Sequence, residues 1–237
     1  MTMKNEQAVD VRPFASLGHA DHGWLDARHH FSFASYHADD RMGWGSIRVW
    51  NDDTIAPRSG FPPHPHRDME IVTYVRSGAI THEDSLGNRG RTGAGDVQVM
   101  SAGTGVRHAE YNLEDEATTL FQIWIETAVP GAVPSWGARP FPKAARAGTF
   151  QLLASGFGEA DALPINAQAR VFGATLDAGT TVEHVIGEGR HGYLVPATGR
   201  LTIGDVPVGP RDGAALRGGR HVIRAEEATE IVLVDAA

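Results

Sequence analysis

Rhythm is the feature that most limits what this chain can fold into. Runs rich in Val, Ile, Thr and aromatic residues return about every ten residues, each closed by turn-forming residues. WGSIRVWND (44–52) reads as a strand stopped by an Asn-Asp turn signal. MEIVTYVRSG (69–78), AITHEDSLGN (79–88), GDVQVMSAGTG (95–105), RHAEYN (107–112) and TTLFQIWIET (118–127) follow as further strands. The 28 glycines and 13 prolines fall between such runs, which favours strands joined by tight turns over helices. The fold expected is all-β, an antiparallel sandwich or barrel.

Four prolines interrupt AVPGAVPSWGARPFPK (128–143). This stretch reads as a connection with nothing to pair, dividing a domain at 1–130 from one at 131–237. Beyond it RVFGATLDAGTTVEHVI, GYLVPATGRLTIGDVPV, RDGAALRGGRHVI (211–223) and ATEIVLVD repeat the strand-turn rhythm, so the second half looks like a diverged copy of the first. The formal net charge of −8 and the lack of a basic run argue against direct binding of nucleic acid. No cysteine is present, which excludes thiolate nucleophiles and Cys-ligated metals. MTMKNEQAVDVRPF lacks the apolar core of a signal peptide and no run is long enough to span a membrane, so a cytoplasmic location is expected.

Chemistry concentrates in SGFPPHPHRDMEIV (59–72). Pro62, Pro63 and Pro65 hold the backbone extended, and in an extended segment His64 and His66 point the same way. His108 and Glu110 in GTGVRHAEYN repeat that spacing. Two such strands facing one another inside a barrel would bring three imidazoles and one carboxylate to a single ion, a donor set suited to Fe, Mn, Co, Ni, Cu or Zn. His184, His191 and His221 show no such spacing, so the metal is expected only in the first half. His22, His29, His37, His82 and His221 read as surface or hydrogen-bonded structural residues. The glycines of GNRGRTGAGD read as turns, because no Lys-Ser/Thr follows them.

GFPPHPHRDMEIVTYVRSGAITHEDS and GDVQVMSAGTGVRHAEYN resemble the cupin superfamily, and within it the pirin family. Gly60, His64, His66, Glu70 and Gly78 meet the first cupin pattern with a short first gap. Gly95, Gly103, His108 and Asn112 meet the second, with Ser101 where proline is common and two extra residues before the histidine. The resemblance covers about residues 20 to 127. It implies a bicupin, two antiparallel barrel or jelly-roll domains, with one mononuclear divalent transition metal in the N-terminal domain and a degenerate, metal-free C-terminal domain. The implied ligands are His64, His66, His108 and Glu110, with iron the first expectation for the metal. Glu70, which a generic cupin would use as ligand, and Asn112 would support the ligands from behind.

The resemblance further implies a quercetin 2,3-dioxygenase activity on flavonols or related enols with dioxygen. Glu110 or a nearby base would take the proton of the substrate 3-hydroxyl; Phe61 and Tyr111 read either as core packing or as the lining of an apolar mouth. Two other classes share these ligands: a non-enzymatic metal or redox sensor acting on a protein partner, and a cupin isomerase or lyase that consumes no oxygen.

Overall fold

The computed structural model describes residues 9–237, so the start of the segment read for a signal peptide lies outside the described residues. Among the described residues the only helical segments are three short 3-10 turns, Phe14–Ser16, Asp39–Arg41 and Lys143–Arg146. None is long and apolar enough to cross a membrane.

Two sheets form the N-terminal barrel. One has seven strands in the order Ser135–Arg139, Val97–Ser101, Met69–Ser77, Thr118–Glu126, Ile47–Ile55, Leu25–His29, Gly18–Asp21. The other has four, in the order Ser59–His66, Val106–Asn112, Ala79–Asp84, Arg89–Gly93. Strand alternation splits the residues of the larger sheet between two environments. Trp50, Tyr74, Phe121 and Ile123 point outward and pack with Leu153, Val171, Tyr193, Val195 and Val232 of the C-terminal half. Asn51, Asp53, Gln122 and Trp124 point into the barrel. Both faces of the central strands are therefore buried, and the apolar layer between the halves joins them into a bicupin.

The second half forms a nine-stranded sheet whose long strands Thr181–Thr198 and Gly213–Ala225 pair with each other. Its interior is filled by Leu176, Leu194, Leu201, Ile223 and Leu233, leaving an apolar core where the first barrel has a cavity. The halves also exchange strands. Val9–Arg12 pairs with Gly213–Ala225 of the C-terminal sheet, and Ser135–Arg139 pairs with Val97–Ser101 of the N-terminal one.

Three local expectations are corrected. The stretch 128–143 does find a pairing partner: Ser135–Arg139 lies between its prolines, which sit outside the strand and cost it no ladder bond. The strand expected to stop at Asn51-Asp52 runs on through Asp53 to Ile55. Tertiary partners hold the two residues read as a turn signal: Asn51 bonds His29, and Asp52 pairs with Arg76 and Arg211. In GNRGRTGAGD, Gly87 and Gly95 do occupy turns with positive φ, but Gly90 and Gly93 lie in a strand. A side chain at Gly90 would collide with the Trp136 ring.

Candidate metal centre

The strand Ser59–His66 is an edge strand, which is why it tolerates Pro62, Pro63 and Pro65 without losing needed backbone donors. It pairs with Val106–Asn112 so that His64 lies directly opposite His108, and a register shift follows between His108 and Glu110. On its other side Val106–Asn112 places His108 opposite Asp84 and Glu110 opposite His82. Potential ligand atoms of His64, His66 and His108 all lie within 4.8 Å of one another, as do those of His82, His108 and Glu110. His108 belongs to both groups; Glu110 shares none with His64 and His66.

Hydrogen bonds fix where the ring protons sit. His64 Nδ1 lies 2.8 Å from the Pro62 carbonyl oxygen, which can only accept, so Nδ1 carries the proton and Nε2 a lone pair. Asp84 Oδ2 accepts from His82 Nε2 at 3.1 Å. His82 Nδ1 is therefore an acceptor, and it takes the proton of His108 Nδ1 at 3.3 Å. His108 Nε2 is thereby left with a lone pair as well. The two Nε2 atoms face each other 3.1 Å apart with no proton assigned between them. Two opposed lone pairs repel unless a cation lies beside both. Two nitrogens each about 2.1 Å from one ion and at right angles are about 3.0 Å apart, so the donor set fits a transition metal.

Burial, then the neighbouring imidazoles of His108 and His64, lowers His66 to about 4. Burial with His64 and His82 lowers His108 to about 3. Both are neutral near pH 7, as metal ligation requires. Burial alone would raise the Asp84 carboxyl, but hydrogen bonds from Asn88, His82 and Leu86 together hold it below its ordinary value. It is thus an anion at the far end of the His82–His108 chain.

Glu110 is buried and reaches across the barrel. Its Oε1 accepts from Gln98 Nε2 at 2.6 Å and Thr73 Oγ1 at 3.3 Å, and its Oε2 from Gln122 Nε2 at 2.7 Å. A carboxylate has about four lone-pair sites, so one remains for an ion. Glu70 lies elsewhere. Its Oε2 accepts from Ser101 Oγ and from the Asn166 amide of the C-terminal half. Asn112 bonds the carbonyls of Ile55, Ala56 and Glu116 and the amide of Glu114, tying down a loop. Neither bonds any of the four histidines or Glu110.

The cavity above the imidazoles holds about 490 Å³, within the range of small-molecule sites. Trp24, Leu25, Phe33, Phe61, Ile71 and Trp124 supply its apolar walls. Phe61 lies edge-on to Trp24, ring centroids 5.0 Å apart, whereas Tyr111 does not reach the cavity. The sequence reading placed His82 among the surface or hydrogen-bonded structural residues and passed over Asp84, though THED carries them at the same two-residue spacing that singled out the other pairs. It also passed over Trp136, whose ring stacks on His82 with planes 8° apart. Of the histidines read as ordinary, His22 and His29 line the cavity. His37 pairs with Asp39 on the surface, and His221 bonds the Arg217 carbonyl.

Paired antiparallel barrels, one open around converging histidines and one filled, define the class: a bicupin. The Pirin family pattern matches residues 10–125, and the pattern described as the quercetinase C-terminal cupin domain matches residues 152–236. A pirin-like protein of Caulobacter vibrioides is 62% identical over 97% of this chain and 100% of its own length. The quercetin 2,3-dioxygenase of Escherichia coli K12 is 38% identical over 96% of this chain and 98% of its own. The crystal structure of the bacterial pirin YhhW from Escherichia coli in complex with nickel(II) superposes with a TM-score of 0.91. It is 37% identical over 96% of this chain and 98% of that one. The chain belongs to the pirin family.

Proposed function

We propose that this pirin is a metal-dependent dioxygenase that cleaves flavonols such as quercetin, with one divalent transition metal held by His64, His66, His108 and Glu110. The observation that carries the reading is the pair of lone-pair-bearing Nε2 atoms of His64 and His108, 3.1 Å apart at the base of an apolar cavity. The quercetin 2,3-dioxygenase name of a full-length relative supports the substrate class. The nickel(II) in a homologous structure supports a transition metal at such a fold.

When bound, the metal would lower the pKa of the flavonol 3-hydroxyl and hold the electron-rich substrate near dioxygen. The chain's own groups do the rest. Phe61, Trp24 and Trp124 offer a flat ring system apolar walls that keep water from it. Glu110 is the base that receives the 3-hydroxyl proton, on the Oε1 lone pair that the Thr73 hydroxyl approaches at 3.3 Å and releases by turning wholly to Gln122 Oε1 at 3.0 Å, so the fourth site stays with the ion. The Gln98 and Gln122 amides then hold its Oε1 and Oε2 at fixed positions while the proton moves.

The test is an oxygen electrode and a carbon monoxide assay on nickel-, iron-, manganese-, cobalt- and copper-loaded protein with quercetin. Oxygen uptake matched by carbon monoxide release, lost in His64→Ala, is the expected result. Quercetin left intact by every metal form would refute the activity and favour a sensor that uses the same ligands without turnover.

A further inference from the structure

The cavity has a second polar wall. His64, His66 and His108 come from the four-stranded sheet, while His29, Asn51 and Asp53 come from two neighbouring strands of the seven-stranded sheet, and all six line the same space. His29 stands opposite Asn51 and Ala27 opposite Asp53 in the pairing of Leu25–His29 with Ile47–Ile55. Sheet alternation therefore aims His29, Asn51 and Asp53 together into the barrel.

Asp53 is the unusual member. It is 2% exposed, and its Oδ1 is buried without a hydrogen-bond partner. Its neighbour Asp52, on the other face of the strand, has two arginines; Asp53 has none. Buried polar groups are nearly always satisfied; Oδ1 is sealed off, so this carboxyl meets whatever fills the cavity through Oδ2. His29 is the complement: its Nδ1 lies 2.8 Å from Asn51 Oδ1, an acceptor, which leaves the Nε2 lone pair free.

We propose that Asp53 and His29, with Asn51 orienting the latter, form a hydroxyl-binding subsite that selects planar aromatic substrates carrying a further phenolic hydroxyl besides the one that meets the metal. This rests on the flavonol reading above and narrows it to polyhydroxylated members of the class. Burial, then the charges of Asp52 and Glu110, raises the Asp53 carboxyl well above its ordinary value, so it offers an O–H donor. Burial lowers His29 from its ordinary value, which keeps it neutral and accepting. A phenolic hydroxyl both accepts and donates, and would meet one partner of each kind. Asp53 and His29 are thus specificity-determining residues on the wall across from the ligand histidines.

The experiment compares quercetin with 3-hydroxyflavone, which keeps the chelating core but has no hydroxyls on its other rings. Nickel-loaded wild type, Asp53→Ala, Asp53→Asn and His29→Leu are assayed after nickel content shows each to be equally loaded. Asp53→Ala and His29→Leu should each lower kcat/KM for quercetin about tenfold, chiefly through KM, and leave 3-hydroxyflavone within about twofold. Asp53→Asn keeps a donor and should retain most of the preference. Equal losses on both flavonols, or no loss on quercetin, would overturn the subsite. If wild type turns over neither compound, the dioxygenase reading fails by itself, and the subsite is judged by anaerobic binding, read as quenching of Trp24 and Trp124 in the cavity wall. A quercetin preference in wild type that Asp53→Ala abolishes supports it. Wild type that binds both compounds equally or neither, or a preference that survives the substitution, overturns it.

Discussion

Asp84→Asn is a change of one atom two hydrogen bonds away from the candidate metal, and the structure gives it a defined effect. In the native protein Asp84 Oδ1 accepts from the amides of Leu86 and Asn88 at 2.9 and 3.0 Å, and Oδ2 from His82 Nε2 and Asn88 Nδ2 at 3.1 and 2.9 Å. An asparagine keeps its oxygen on the two backbone donors and turns its NH₂ toward His82 and toward Asn88, whose side-chain amide turns over to accept with Oδ1. His82 Nε2 must then accept, so the His82 proton moves to Nδ1 and points at His108 Nδ1. His108 in turn carries its proton on Nε2, where the ion would sit. To bind metal the variant must set two N–H groups face to face across the 3.3 Å gap between His82 and His108. One mis-set buried pair costs about 1–3 kcal/mol, and outer-sphere changes of this kind cost about 10- to 100-fold in metal affinity. Nickel affinity, measured by competition with a chelating dye at pH 7.5, should fall by that factor. The urea midpoint of the metal-free variant should move little, because the shape and the backbone bonds survive. Glu83→Gln, one residue away on the exposed face and paired with Arg89, should bind nickel as wild type does. Unchanged affinity in Asp84→Asn, or a loss matched by equal unfolding of the metal-free protein, would refute the proton assignment.

Further outcomes follow from the same geometry. Glu110→Ala should abolish activity and reduce metal content, whereas Glu70→Ala, which removes a bond to the Asn166 amide, should lower the thermal midpoint with metal stoichiometry intact; the reverse ranking in elemental analysis and scanning calorimetry would restore Glu70 as ligand. Elemental analysis should give one transition-metal ion per chain, and dialysis against a chelator should remove it together with any oxygen uptake; two ions per chain would count against a single N-terminal site. In the metal-free protein His108, lowered to about 3 when folded, ionises near 6.5 when unfolded. The unfolded chain therefore takes up the proton first, and this group alone lowers stability by about 2 kcal/mol between pH 7 and pH 5. Urea titrations should show a loss smaller by about that amount in His108→Asn than in wild type, the remainder coming from His66, lowered to about 4, and identical pH dependence in both would contradict it.

The sequence exposed what depends on local spacing and hid what depends on the company a residue keeps after folding. The glycine-punctuated runs located the strands because turns and alternating apolar residues are written along the chain, and the two-residue spacing of His64 with His66 and of His108 with Glu110 paired the ligand candidates for the same reason. Trp136 was invisible: it sits between prolines in what reads as a connection, and its role exists only because Gly90 leaves room for its ring to lie on His82. Glu70 was misplaced in kind, since its partner is a backbone amide 96 residues further on. The most instructive failure is Asn51-Asp52-Asp53, where three polar residues in a row spell a turn and yet continue a buried strand. Propensity lost there to tertiary partners: His29 for Asn51, and Arg76 with Arg211 for Asp52. Asp53 alone has no such compensation within the protein. A chain that buries a carboxyl in the middle of a sheet, against both local preference and desolvation, gains nothing in stability from doing so. The remaining physical reason for that residue is whatever occupies the cavity it faces.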